Sequence, residues 1–265
     1  MRRPPVRPRY RTKIESRPAG TRAKAALDGR PPVGGMDVKC TECSLRSLCL
    51  PSDLLPATHA SIAAAISSRR RYGRGETLYN VGDRIAAVYA VRAGCFKTIL
   101  MSEDGREQVT GFYMPGDVVG LDGIGNWYHA SRAVALDDSE VCVISVSDLT
   151  RVGAESQPIQ HHFHQLLSRE ISREQSVIAM LGSLSAEKRL AAFLVDLSKR
   201  LQARGYSPSD FQLPMTRGDI GSYLGLELET VSRMLAKLRA EGLVEVQHRH
   251  VRIRRLDALA GLVSR

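Results

Sequence analysis

The sequence predicts an α+β chain made of a small β-roll, a long helix with a heptad seam, and a C-terminal winged helix-turn-helix. Three observations predict it. Between Gly73 and Ser147, short runs of Val, Ile, Tyr and Phe are separated by glycines at 75, 82, 94, 105, 116 and 120. Turn signals spaced about 7–12 residues apart read as a small all-β barrel or roll. Leu167, Ile171, Glu174, Ile178 and Leu181 then fall at steps of four, three, four and three, a coiled-coil seam with one carboxylate on it. Finally, RGDIGSYL and the segment from about Glu227 to Ala240 form two short helical patterns around Gly225.

The elements follow in order. Residues 1–36 are rich in Arg, Pro and Gly and carry little apolar periodicity, so a disordered basic extension is expected there. Residues 37–52 form a cysteine-rich loop. Residues 53–71 carry a helical pattern (Leu54, Leu55, Ile62, Ala65, Ile66) that ends in the basic run Arg69–Arg71. The roll is assigned to 53–157, with Glu103-Asp104-Gly105 as a hairpin turn between TIL and QVTGFY. The seam helix occupies 158–184, and the three histidines 161, 162 and 164 read as a solvated helix start. In the last region, 185–265, a helix carries Leu190, Phe193, Leu194, Leu197 and Leu201 on one face, and Gly205 is placed to stop it.

The two helices around Gly225 have the sequence chemistry of a DNA-reading motif. Thr216 can cap the first, and the glycine supplies the tight turn. Ile220, Leu224, Val231, Leu235 and Leu238 would pack the pair, leaving Glu229, Thr230, Ser232, Arg233 and Lys237 outward. LVEV and VRIRR, around Gln247–His250, read as two strands of a wing. Arg233 can donate two hydrogen bonds to guanine, Glu229 can accept from cytosine, and Ser232 suits several bases. Charge agrees with this: residues 1–30 carry +8, 31–185 carry −3 and 186–265 carry +5, within a formal total of +10. Basic ends around a slightly acidic middle suit a polyanion partner.

At 265 residues the chain is long enough for one large domain or two ordinary ones. Its 43% hydrophobic and 25% charged residues are those of a globular protein. No apolar run approaches the roughly 18–20 residues that span a bilayer, and no secretory leader is apparent, so a cytoplasmic location without membrane contact is expected. No nucleophile–base pair, phosphate loop or catalytic metal motif stands at telling spacing, so an enzyme is not expected.

Five cysteines occur, at 40, 43, 49, 95 and 142. An odd number, three of them within ten residues, argues for metal or cluster ligation rather than a disulfide framework. Cys40, Cys43 and Cys49 would supply three soft ligands and need a fourth, Cys142 or Cys95, both in the β region. Cys95 suits a buried strand position. Spacing alone leaves zinc and iron–sulfur open.

The whole arrangement resembles the FNR family, the oxygen-responsive regulators of the CRP/FNR superfamily. The resemblance spans about 38–260 and is carried by VKCTECSLRSLCLP, by GDVVGLDGIG at Gly116–Gly125, by AEKRLAAFL around Phe193 and by MTRGDIGSYLGLELETVSRML. It implies a cyclic-nucleotide-binding-like β-roll, a dimerisation helix, and a [4Fe–4S] cluster on Cys40, Cys43, Cys49 and Cys142. It also implies a reading triad of Glu229, Ser232 and Arg233, a palindromic operator with TTGAT-like half-sites, a homodimer, and RNA polymerase as partner in activation or repression. Relatives often carry Ser or Thr where this chain has Glu227. Such a Glu caps less well but complements the positive helix end. Cyclic-nucleotide binding is not expected, because phosphate capture needs a Gly-Glu pair and a following Arg-Ser or Arg-Thr, whereas GLDGIGNWYHASRA has no Glu after Gly120. A regulator with zinc or a thiol switch on the cysteine box is the alternative. Glu174, paired across the seam, would oppose dimerisation until the cluster is in place.

Overall fold

The computed structural model describes Cys43 and residues 66–264. The expected basic extension 1–36, the rest of the 37–52 loop with Cys40 and Cys49, and the helical pattern up to residue 65 lie outside the described residues.

Eight strands build the roll: β1 (Ile66–Tyr72), β2 (Thr77–Tyr79), β3 (Ala87–Ala93), β4 (Phe96–Met101), β5 (Glu107–Tyr113), β6 (Val118–Val119), β7 (Arg132–Ala135) and β8 (Ser139–Ser145). They form two four-stranded sheets, ordered β1-β8-β3-β6 and β2-β7-β4-β5. Their facing sides enclose a core of Tyr72, Leu78, Tyr79, Val91, Phe96, Val119, Ala133, Val141 and Val143. The β4–β5 hairpin turns at Gly105, whose φ of +79° is the left-handed region that glycine adopts without a Cβ penalty.

Ile66–Tyr72, which ends the helical periodicity read from sequence, is a strand. Pairing decides it: β1 runs antiparallel to β8 with Arg69 opposite Cys142, Arg71 opposite Glu140 and Tyr72 opposite Ser139. Tyr72 turns into the core, and the arginines at 69 and 71 share the other face. Burial of one face overrode a local pattern made mostly of alanine and isoleucine.

The roll closes with α1 (Val146–Glu155), a helix that the sequence reading left inside the β region. Ser145 caps it by accepting from the Asp148 amide. The long helix α2 (Gln157–Ser183) follows, with Pro158 in its first turn. His162 near its start is buried rather than solvated, because α1 packs over that turn.

The C-terminal unit comprises α3 (Ala186–Gln202), β9 (Asp210–Gln212), α4 (Arg217–Leu224), α5 (Leu228–Ala240), β10 (Val244–Gln247), β11 (His250–Ile253) and α6 (Leu256–Ser264). The wing has three strands, ordered β10-β11-β9. Asp210 at the start of β9 accepts from Arg252 Nε at 2.7 Å and contacts His250 Nε2 at 2.5 Å. One apolar cluster runs from Ile99, Val109, Phe112 and Met114 of the roll through Leu190, Leu194, Ile220, Leu224, Val231 and Leu238. Roll and C-terminal unit therefore share a core. Among the described residues no helix is long and apolar enough to cross a membrane.

Candidate functional site

The helix pair starts on a complete capping box. The Thr216 hydroxyl oxygen accepts from the Asp219 amide, and the Asp219 carboxylate accepts from the Thr216 amide at 2.8 Å. Gly225 ends α4 with a φ of +62°. Gly221, which the sequence reading did not single out, is as necessary: a Cβ there would meet the Leu226 carbonyl oxygen at 2.5 Å. A glycine inside a helical pattern was the available signal.

Ile220, Leu224, Val231, Leu235 and Leu238 are buried between the helices. On the opposite side of α5, Glu229, Arg233 and Lys237 are exposed and Ser232 is half-buried. Glu227 is the N-cap residue and makes no side-chain cap hydrogen bond. Arg217, at the start of α4, donates from Nη1 to the Ser232 hydroxyl at 3.1 Å. Lys237 is drawn aside to Glu187 of α3, at 2.5 Å. The free outward face of α5 thus presents a carboxylate, a hydroxyl held by an arginine, and a guanidinium one helical turn beyond the carboxylate.

This pair is docked on the roll. Phe112 of β5, Phe193 of α3 and Tyr223 of α4 form a ring cluster with centroids 5.1–6.0 Å apart. Asp117, just after β5, accepts from Arg200 at 2.7 Å and from Arg204 at 2.6 Å. Both arginines also donate to roll carbonyls, Arg200 to Phe112 and Arg204 to Pro115. Ser222 accepts from the Val109 amide at 2.8 Å, and Gln108 donates to the Ser222 carbonyl. Lys97 of β4 reaches the Asp219 carboxylate at 2.5 Å, so the residue that caps α4 is also held by the roll. Burial works to raise the Asp219 carboxyl, but hydrogen bonds from Lys97 and Thr216 outweigh it and keep it below the ordinary carboxylate value.

The predicted sulfur ligands are partly in view. Cys142 lies half-buried on β8, on the side of its sheet away from the roll core. Burial raises its thiol, the Arg69 charge lowers it, and the Cys43 sulfur raises it again, so Cys43 stands in the same electrostatic neighbourhood. Among the described residues no three metal-binding side chains cluster. Cys95 is 3% exposed, and burial pushes its thiol up to about 12.

The predicted seam faces outward along α2. Ile171 is 55% exposed and Ile178 70%, Leu167 and Leu181 are half-buried, and Glu174 is exposed between them. Burial and the charge of Glu170 push the Glu174 carboxyl up.

Inside the roll, Asp122 accepts from the Ala130 amide, the Ser131 amide and the Ser131 hydroxyl at 2.8–3.0 Å, and meets His129 Nδ1 at 3.1 Å. His129 stacks on Tyr79 at 3.7 Å between ring centroids.

Residues 188–262 match the Crp-like helix-turn-helix domain, and residues 69–156 match the cyclic nucleotide-binding domain. The chain is 42% identical over 238 residues to the transcriptional regulatory protein btr of Bordetella pertussis, covering 90% of this chain and 98% of that one. It is 40% identical over 231 residues to the fumarate and nitrate reduction regulatory protein of Escherichia coli K12, covering 87% and 92%. The chain belongs to the CRP/FNR family of transcriptional regulators.

As a CRP/FNR regulator it is a DNA-binding protein and not an enzyme. Among solved structures, FixK2 from Bradyrhizobium japonicum is similar at 30% identity and a TM-score of 0.69, covering 74% of this chain and 96% of that one. The family's α+β architecture, a β-sheet sensor domain followed by helices and a C-terminal helix-turn-helix, is the one described above. In this member the docked helix pair gives a measurable coupling. A double-mutant cycle on Lys97→Ala and Asp219→Asn, read by denaturant unfolding, is expected to give about 1 kcal/mol of interaction energy. Because the folded carboxyl is depressed, that coupling is present above the unfolded carboxylate value of about 4 and fades as pH falls through the folded one. Additive single mutants at neutral pH would refute the contact.

Proposed function

We propose that this regulator senses oxygen through a [4Fe–4S] cluster held by Cys40, Cys43, Cys49 and Cys142. It binds a palindrome with TTGAT-like half-sites as a cytoplasmic homodimer when oxygen is absent, and works there with RNA polymerase. The observation that carries this reading is the position of Cys142 on a sheet face turned away from the core, opposite Arg69, with the box sulfur of Cys43 among the groups that act on its thiol. The donor set suits the group: both sulfurs sit beside guanidinium groups, and thiolates are the ligands that iron–sulfur centres take. The similarity to a fumarate and nitrate reduction regulatory protein supports the anaerobic setting. When bound, the cluster would supply the oxygen-reactive chemistry.

The chain's own residues do the rest. Glu229, Ser232 and Arg233 read base edges, and Arg217 orients the Ser232 hydroxyl. Leu167, Ile171, Ile178 and Leu181 pair with the same residues of a second copy, which sets two α5 helices about 34–36 Å apart on the operator. Glu174 meets its counterpart in that seam and weakens the pairing until the cluster is in place. A cyclic nucleotide has no part in this scheme. The backbone amides at 130 and 131, which could receive a phosphate, already serve the carboxylate of Asp122.

Three experiments test the scheme. Anaerobic purification should give a brown protein with about four iron and four sulfide per chain that bleaches in air. A colourless, air-stable protein that still binds its palindrome would leave the DNA reading intact and move the cysteine box to zinc or a thiol switch. Arg233→Ala should remove discrimination at one guanine, at about 1–3 kcal/mol, while weak non-specific binding persists. Equal loss on every sequence would contradict a reading role. Glu174→Ala should strengthen the cluster-free dimer in sedimentation, and a dimer no tighter than wild type would remove Glu174 from the switch.

A further inference from the structure

The sheet face that carries Cys142 is unusual in its charge. Opposite residues of an antiparallel pair share a face, and the registers put Arg69 beside Cys142 and Arg71 beside Glu140. Arg92 of β3 joins them from the other side, donating from Nη1 to Glu140 at 2.6 Å, while Arg71 Nε donates to the same carboxylate at 3.2 Å. Glu140 is only 8% exposed. Among the described residues, three arginines and one glutamate give this patch a formal charge of +2, on a roll whose surrounding region (31–185) is net acidic.

Arg69 and Arg92 are also the arginines that act on the sulfurs. Arg69 acts on Cys142, and Cys43 is among the groups that raise Arg92, after the hydrogen bond that Arg92 donates to Glu140. The Nε atoms of Arg69 and Arg92 are buried and have no hydrogen-bond partner among the described residues. Glu140 is shared by Arg71 and Arg92, so it does not neutralise the patch. Packing alone gives no reason to hold two half-buried guanidinium groups on one strand face with a single carboxylate beside them among the described residues.

Four thiolates around a [4Fe–4S]2+ core carry a net charge of −2. We infer that Arg69 and Arg92 are positioning residues for the sulfur-held centre, set on the strand face to neutralise it and so keep it in the protein. Glu140 is their counterweight. It fixes Arg92 in place at the cost of one positive charge. The inference rests on the cluster reading above and adds to it the electrostatic frame of the site.

The full-length protein tests it. Wild type, Arg69→Gln/Arg92→Gln, Arg69→Lys/Arg92→Lys and Glu140→Gln are reconstituted anaerobically with iron and sulfide. Iron release to a chelator is then followed under argon, with near-ultraviolet circular dichroism as a control for folding. The double Gln variant should release iron about tenfold faster than wild type, the usual cost of losing groups behind the ligands. The double Lys variant, which keeps the charge, should recover most of that difference. Glu140→Gln should release iron more slowly than wild type, although it breaks two ion pairs. That result separates charge from packing, since a purely structural role predicts the opposite sign. A wild type that loads while all variants release iron at one rate would overturn the role of the arginines alone. So would a Glu140→Gln variant that releases iron as fast as the double Gln variant. A wild type that takes up neither iron nor sulfide would overturn the cluster reading itself.

Discussion

Strand β8 alternates between two chemistries, and much of the molecule is organised around that period of two. Val141 and Val143 turn inward and are almost fully buried, while Glu140 and Cys142 turn outward. A slip of one residue in the pairing with β1 and β3 would bury a carboxylate and a thiol and expose two valines. The roll core therefore fixes which cysteine of the β region faces outward. Cys95 is on the wrong side of this arrangement: it is buried, its amide donates to Ser139 Oγ, and desolvation keeps its thiol protonated. The same pairing brings Arg69, Arg71 and Arg92 to the side of Cys142, so a hydrophobic constraint also assembles the charged surroundings of the sulfur.

The second sheet serves the DNA-reading helices in a similar way. Its inner side completes the roll core through Phe96, and its outer side, through Ile99, Val109 and Phe112, continues into the core of the C-terminal unit. Asp117 ties Arg200 and Arg204 to the same edge, and Lys97 takes the outer oxygen of a helix cap. A contact of this kind combines apolar burial with several charge-assisted hydrogen bonds and resists independent movement of the two parts more than a bare linker would. Sheet one carries the sulfur and sheet two carries the helix pair, with the roll core between them. Any signal that reaches α5 through this chain must cross a packed interior, where displacements are discrete because side chains interdigitate.

The sequence showed the helix-turn-helix with its cap and turn, the β4–β5 hairpin, the heptad stripe on α2 and the β10–β11 hairpin of the wing. These elements announce themselves within a few residues: a capping box, a left-handed glycine, an apolar repeat. The strand Ile66–Tyr72 was not legible, because its alanine- and isoleucine-rich surroundings carry helical periodicity and only its partner β8 makes it extended. β9 is three residues long and is fixed by pairing with β11 and by Asp210 bonding across to Arg252. Burial of His162 depends on α1, whose apolar stripe of Val146, Leu149 and Val152 is only ten residues long and follows directly on the valine-rich strand β8.

What the sequence determined by itself is the local grammar: where the helices of the helix-turn-helix begin and end, and which side chains of α5 face outward. Those properties depend on neighbours one to seven residues away, which sequence spacing records directly. What only the tertiary structure decided is company. Arg69 with Cys142, Arg92 with Glu140, Lys97 with Asp219 and Asp117 with Arg204 are brought together by strand register and docking, and 48 to 122 residues separate the last three pairs. No local propensity encodes such contacts, because they arise when apolar faces are buried and the polar residues beside them must find partners.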